Sequence, residues 1–379
     1  MRHSFFRLGL TLVVLAGFCP TAARAQSPDW GTPIDLRSGG VASGDLTPDL
    51  ITQVQEGTAW ERDFPSWYLR GEALFLQRVG VRDRVITVID NATFETLTDD
   101  VPVITADQLQ PDNFQSGWRA EVGRAFGSGL AIEGQYFLVD DWFQQAQFTS
   151  NGLFVTDPVI PGDALSPPDA PPDFAQFPVD DFYQALQHTV DYRSVLLNSE
   201  INLRATWRWC NFVRSQLAGV RFAQLREDFF LVSQDDRLSR PDDGFGLYDI
   251  RTKNNLIGAQ YGEEIMFQVL GTTTLTINGK VGLYANDIEV RRSITNDGVE
   301  VVNLMLTDTN LAFLGELGAH LNVKVTDMVS IRGGYNLYWI EGLALAPEQY
   351  TFNQALLTDV NEHGGLFVHG FSLGLEVRR

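Results

Sequence analysis

The chain has 379 residues, with 48 Asp and Glu against 28 Lys and Arg and a formal net charge of −20. An acid excess of that size argues against nucleic acid as a partner and against binding to a membrane surface through a polybasic patch. Two cysteines, Cys19 and Cys210, cannot build a disulfide framework or a metal cluster, and neither metal nor cofactor is expected.

Residues 1–25 read as a secretory signal peptide. Arg2 and Arg7 precede an apolar run, Leu8–Phe18, and Ala23-Arg24-Ala25 fits an A-x-A cleavage site. Cleavage near Ala25 removes three Arg, leaving 25 basic residues against 48 acids, about −23. No stretch reaches the roughly 18 consecutive apolar residues of a transmembrane helix. Residues 26–65, rich in Gly, Ser, Asp, Thr and Pro, read as a flexible periplasmic arm.

From residue 66 the pattern turns to period two. Trp67 to Arg78 sets Trp67, Leu69, Ala73 and Phe75 against Arg70, Glu72 and Arg78. Gly117 to Phe126 and Leu130 to Asp140 follow, joined by Gly127-Ser128-Gly129, whose glycines suit a tight hairpin. The cleanest segment sets Val195, Leu197, Ile201 and Leu203 against Asn198, Glu200, Asn202 and Arg204. The others are 215–230, 248–262, 274–290, 310–325, 328–340 and 364–377. In 215–230 the phase is ambiguous, because Arg221 and Arg226 fall on opposite faces.

Connections alternate in length. Long ones run at 79–115, 141–186, 232–246, 293–309 and 341–363. Short ones fall at Gly127–Gly129, Trp209–Arg214, Glu263–Thr273 and Thr326–Asp327. Acid concentrates in the long ones, as at Asp99, Asp100, Asp140, Asp141, Asp235, Asp236, Asp242 and Asp243, and reads as a solvated loop surface. Seven prolines from Pro158 to Pro178 exclude strand and helix there. Loops sorted by length are the mark of an outer-membrane barrel; a soluble sandwich has no reason to sort them. The reading is an all-β, antiparallel, up-and-down transmembrane β-barrel of about ten strands over 66–379, with short periplasmic turns and long external loops.

Five stretches, in order, are similar to the β-barrel porin-7 family of planctomycete-type outer-membrane proteins. They are Trp67-Tyr68-Leu69-Arg70-Gly71-Glu72, Gly117-Trp118-Arg119-Ala120-Glu121-Val122-Gly123, Asn198-Ser199-Glu200-Ile201-Asn202, residues 252–262, and His369-Gly370-Phe371-Ser372-Leu373-Gly374-Leu375-Glu376. The resemblance implies an outer-membrane barrel without catalytic residues. Many such barrels end in an aromatic residue, whereas this chain ends Val377-Arg378-Arg379.

Pointing the polar face of each strand inward puts Glu72, Glu121, Glu133, Glu200, Glu316 and Glu376 in the lumen with Arg119, Arg204, Arg221, Lys280 and Arg332. Near balance suggests paired ions, since unpaired charges in a poorly solvated interior are costly. Trp67, Trp118, Trp142, Trp207, Trp209, Tyr338 and Trp339 are expected to form an aromatic girdle. Beyond the expected signal peptide there are four histidines, His188, His320, His363 and His369; with no Gly-x-Ser-x-Gly elbow, no enzyme is expected. The first functional expectation is a porin-like barrel passing small solutes or ions through a narrow charged lumen, with outer-membrane lipid as its surroundings. The second is a non-conducting structural or adhesion barrel acting through acidic loops. The third is a secreted carbohydrate-binding sandwich.

Overall fold

The computed structural model describes residues 67–79, 84–90, 101–110, 113–126, 129–150, 155–158, 180–182, 185–209, 212–235, 244–353 and 356–379. The expected signal peptide, the arm and Cys210 lie outside them.

Ten antiparallel strands close into a ring: β1 (Trp67–Val79), β4 (Gln115–Ala125), β5 (Leu130–Thr149), β7 (Gln187–Trp209), β8 (Phe212–Asp235), β9 (Gly244–Leu270), β10 (Thr273–Asn296), β11 (Val299–Lys324), β12 (Val329–Leu343) and β13 (Gly364–Arg378). Each pairs with its neighbours in order, and β1 pairs with β13 from Tyr68↔Arg378 to Val79↔Phe367. Trp67 and Arg379 lock the seam by exchanging main-chain hydrogen bonds of 3.0 and 2.9 Å. Where all ten strands pair, closure removes the unpaired edges that an open sheet would present. The sandwich alternative is excluded.

The registers fix the shape. Starting at Val329 in β12, directly paired residues run through Val377, Leu69, Val122, Gly134, Ile201, Val220, Ala259, Leu283 and Phe313 and return to β12 at Glu341. Positions 329 and 341 differ by 12, which is the shear of the ring. Ten strands with that stagger tilt by about 40° and enclose a space a little wider than side chains can fill in an eight-stranded barrel.

The β4–β5, β7–β8, β9–β10 and β11–β12 connections, and the outer ends of β1 and β13, share one end, the turn end. The loop end departs from expectation. Residues 293–309 are not a long loop: β10 and β11 run on to a two-residue turn at Asp297 (φ 51°) and Gly298 (φ 74°). Asp-Gly is a type I′ signal because both positions need positive φ. Residues 263–270 are strand, and the β9–β10 connection is Gly271 and Thr272 alone. The 79–115 and 141–186 connections contribute β2 (Val85–Asp90), β3 (Val101–Thr105) and β6 (Val155–Pro158), which pair in the order β3-β2-β6. Asp140 and Asp141 lie within β5, at a bulge where Asp141 takes φ 56°.

The misreading of 293–309 has a physical cause: the inside–outside pattern inverts partway along the long strands. In the turn-end half apolar residues face outward. Ile201, Leu203, Val220, Ile257, Ile277, Leu283, Leu311, Phe371, Leu373 and Leu375 are exposed, while Glu200, Asn202, Arg221, Lys280, Glu316 and Glu376 are buried. In the loop-end half Leu225, Phe229, Leu231, Tyr248, Ile250, Ile288, Val290 and Ile294 are buried. There Arg226, Arg251, Asp287 and Arg291 face out. The inversion resolves the phase of 215–230: Arg221 points in and Arg226 out.

The lumen fills in layers. Above the charged half sits an apolar layer of Leu74, Leu76, Phe137, Val139, Trp142, Leu196, Leu256, Tyr338, Ile340 and Leu366. Higher still, Tyr192, Phe182, Phe229, Tyr248, Tyr350 and Phe352 pack with Ile86, Ile104 and Leu109. The β12–β13 connection is not an external loop. Residues 344–352 are buried inside the barrel. Side chains of the wall satisfy its backbone: Asn254 exchanges bonds of 2.9 and 2.8 Å with Ala344, and the Tyr248 hydroxyl donates to the Thr351 carbonyl at 2.8 Å. The Arg292 guanidinium donates to the carbonyls of Leu356, Leu357 and Asp359. A chain segment taken out of water needs such partners for every polar group.

At the Asp297-Gly298 turn, Gly298→Val should cost roughly 1–2 kcal/mol, because a β-branched residue resists positive φ. Asp297→Gly should be close to neutral. Thermal unfolding in detergent checks both; equal effects would contradict the turn geometry.

Candidate functional site: the charged half of the lumen

Seven carboxylates and six cations crowd the turn-end half of the barrel. Glu72 of β1 receives the Arg119 Nε bond at 2.7 Å and lies 2.8 Å from Arg332 Nε. Arg70 bridges Glu121 at 2.7 Å and Glu376 at 2.8 Å. Arg204 bridges Glu133 at 2.5 Å and Glu264 at 2.9 Å. Arg221 bridges Glu200 at 2.6 Å and Glu316 at 2.7 Å, and Lys280 lies 3.0 Å from Glu200 and 3.6 Å from Glu316. The eleven lumen charges named from sequence all sit on the inner face. Each pairs with another charge of the cluster.

Two members were missed. Arg70 shares the phase of Glu72, so alternation alone identifies it. Glu264 fell in a stretch read as a turn; once β9 runs on to Leu270, its phase matches Gln260 and places it inward.

Amides complete the network. Glu200 accepts from Gln260 at 2.7 Å, Asn198 at 3.0 Å, Asn202 at 3.1 Å and Gln135 at 3.2 Å, besides its two cations. Arg119 also donates to the Tyr338 hydroxyl at 3.1 Å and to Asn336 Oδ1 at 3.2 Å. Buried ions are tolerated where other hydrogen bonds satisfy their remaining lone pairs and protons. A cavity of about 30 Å³ lies among Arg70, Glu121, Glu133, Arg204, Glu264 and Lys280. That is room for a water or two, not for a hydrated solute.

A second ionic contact stands higher, inside the apolar filling. Arg78 Nη1 lies 2.6 Å from Glu227 Oε1, with both side chains fully buried. Glu227 also accepts from the Tyr192 hydroxyl at 2.8 Å and from the backbone N–H of Ala346 at 2.7 Å. A carboxylate of the wall thus holds the inward segment in place.

The aromatic expectation needs correction at two positions. Trp142 is fully buried in the apolar layer, and its indole N–H donates to the Leu76 carbonyl at 3.1 Å. The bulge at Asp140-Asp141 shifts its phase inward. Tyr338 is buried too, on the inner phase of Asn336 and Arg332. Trp67, Trp118 and Trp207 are exposed on the outer face, and Trp339 is half-buried there. Trp209 ends β7, and its side chain lies outside the described residues. His188 is buried against Thr87 and the Phe182 carbonyl, and His369 bonds the Tyr335 hydroxyl at 2.7 Å on the outer face. Among the described residues no group of His, Cys, Asp or Glu is placed to hold a metal ion.

No protein-family profile matches the chain, so the resemblance to the porin-7 family gains no support from one. No curated protein matches it. Among solved structures, the outer-membrane protease OmpT of Escherichia coli is similar at 10% identity, over 83% of this chain and 98% of that one, with a TM-score of 0.43. The toluene transporter TodX of P. putida gives 8% identity, 84% and 91% coverage and 0.31. An anion-selective porin from Comamonas acidovorans gives 8%, 83%, 99% and 0.18. Likenesses of this size carry no argument about activity.

Replacing Arg221 with Met should destabilise the barrel by about 3–5 kcal/mol, because Glu200 and Glu316 stay buried with Lys280 alone between them. Arg214→Gln breaks a pair with Glu263 whose side chains are 38% and 37% exposed, and should cost under about 1 kcal/mol. Unfolding in detergent measures the difference; equal costs would mean that the lumen is hydrated.

Proposed function

We propose that the chain is an outer-membrane β-barrel whose lumen is shut, a non-conducting envelope protein that works through the part standing outside the membrane. The observation that carries this reading is the filled lumen: charged network, apolar layer and inward segment lie one above another. A narrow pore, the first expectation from sequence, would require residues 344–352 to leave the lumen and the Leu76–Trp142–Tyr338 layer to part. The ion pairs beneath would still stand in the way.

Two further observations support the membrane and the outward emphasis. The exposed apolar residues of the turn-end half circle the barrel, a far larger patch than a soluble monomer exposes. A tilted strand crosses a bilayer in about 9–11 residues. Strands β5 and β7 to β11 have 20–27 residues, whereas β1, β4, β12 and β13 have 11–15. One side of the barrel therefore rises well above the membrane as a wall with polar outer and apolar inner faces. That wall and the acidic loops form the working surface of the proposed structural or adhesion role.

The protein reconstituted in planar bilayers should open no steady channel, and vesicles carrying it should not swell in small sugars. A large, steady conductance would overturn the reading. In vesicles, Ile201→Arg should cost about 2–4 kcal/mol if it lies near the midplane. Thr307→Arg, on the outer face of the rising wall, should be nearly neutral. Equal costs would place the apolar belt wrongly.

A further inference from the structure

The wall carries one concentration of positive charge. Above the apolar belt, every outward-facing cation among the described residues falls on four neighbouring strands: Arg193 on β7, Arg226 on β8, Arg251 and Lys253 on β9, and Arg291 on β10. In a chain of formal charge −20 such grouping is notable.

The registers make it more so. Arg226 stands directly opposite Lys253, and Arg251 directly opposite Arg291. Like charges facing each other across strands are destabilising unless an anion sits between them. Protein acids answer only part of this. Arg251 pairs with Asp249 at 2.8 Å and lies 3.7 Å from Asp228; Lys253 pairs with Glu289 at 3.2 Å. Arg193 rests over the Phe143 ring, 5.0 Å from its centroid. Arg226 and Arg291 are exposed and take part in no ion pair among the described residues.

Height matters as much as charge. The top of the belt on these strands is the paired row Phe222, Ile257, Ala285 and Leu311. Next comes an uncharged-to-acidic row, Gln224, Asn255, Asp287 and Thr309. Arg226 and Lys253 stand one row higher. Four residues along a strand tilted by about 40° raise them roughly 10 Å above Phe222. From there flexible side chains bend down into the headgroup zone.

We propose that this patch binds the phosphate groups of anionic lipid in the outward-facing leaflet, with Arg226 and Arg291 supplying charge that no described acid pairs. Cations beside a membrane attract anionic headgroups strongly when clustered and close to the surface. The inference rests on the outer-membrane reading and adds a ligand class to it.

The test uses the full chain in phosphatidylcholine vesicles with and without phosphatidylglycerol. Wild-type protein should bind phosphatidylglycerol preferentially and unfold at a higher temperature with it, and both effects should fade at high salt. Arg226→Gln with Arg291→Gln should lower the apparent affinity for phosphatidylglycerol on the order of tenfold and leave stability in phosphatidylcholine unchanged. Arg124→Gln with Lys324→Gln removes the same charge from the turn end and should change neither. Equal loss in the two double variants, or insertion with no headgroup preference, would overturn the inference alone. So would equal stabilisation by inorganic phosphate, which would make the ligand a free anion. Destabilisation of the Arg226/Arg291 variant in phosphatidylcholine would mean that the patch holds acidic loops instead. Failure to insert into either vesicle would overturn the outer-membrane reading, and the inference with it.

Discussion

The closed ring of main-chain hydrogen bonds is the constraint from which the rest follows. Once β1 pairs with β13, every strand residue must point either into a narrow shared interior or out of the wall. A shear of 12 on ten strands fixes how narrow that interior is. It leaves an interior only a little wider than that of an eight-stranded barrel, and the inner side chains meet one another. Charge opposite charge in the turn-end half and ring against ring in the loop-end half are two solutions to the same crowding.

The charged solution holds because it is dense. Cations such as Arg70, Arg204 and Arg221 each touch two carboxylates from different strands, and Glu200 gathers two cations and four amides. Some of these contacts link strands that are not neighbours in the ring. Arg221 of β8 reaches Glu316 of β11, and Arg119 of β4 reaches Tyr338 of β12. The network braces the barrel from inside, as the hydrogen-bond ladder does around its circumference. Above it the Arg78–Glu227 contact does something different. It places one carboxylate where it takes the Ala346 N–H, so the apolar filling includes a segment that has left the surface.

The inversion of pattern along the strands is the second consequence of closure. The interior changes from polar to apolar partway up, and the outer face changes in the opposite sense. On the proposed reading the cause lies outside the wall: hydrocarbon beside the lower half and water beside the upper. A strand obeying both halves looks, in sequence, like a short strand followed by something irregular. This explains why 293–309 reads as loop although it is two strands and a turn.

Sequence alone determined the barrel class, the position of most strands and the phase of the turn-end half, because strict alternation at 195–204 and 364–377 depends only on which face meets which medium. It determined the lumen charges too, since Glu72, Arg119, Glu200 and Arg332 share the inner phase of their strands. Only the tertiary structure decided that Trp142 turns inward, because one bulge residue shifts the phase and bulges carry no composition signal. Only it decided that 344–352 enters the lumen. A stretch holding Leu345, Pro347, Glu348 and Tyr350 is equally compatible with a surface loop, and its burial depends on Asn254, Tyr248 and Glu227, which lie about a hundred residues away and come together only when the ring closes.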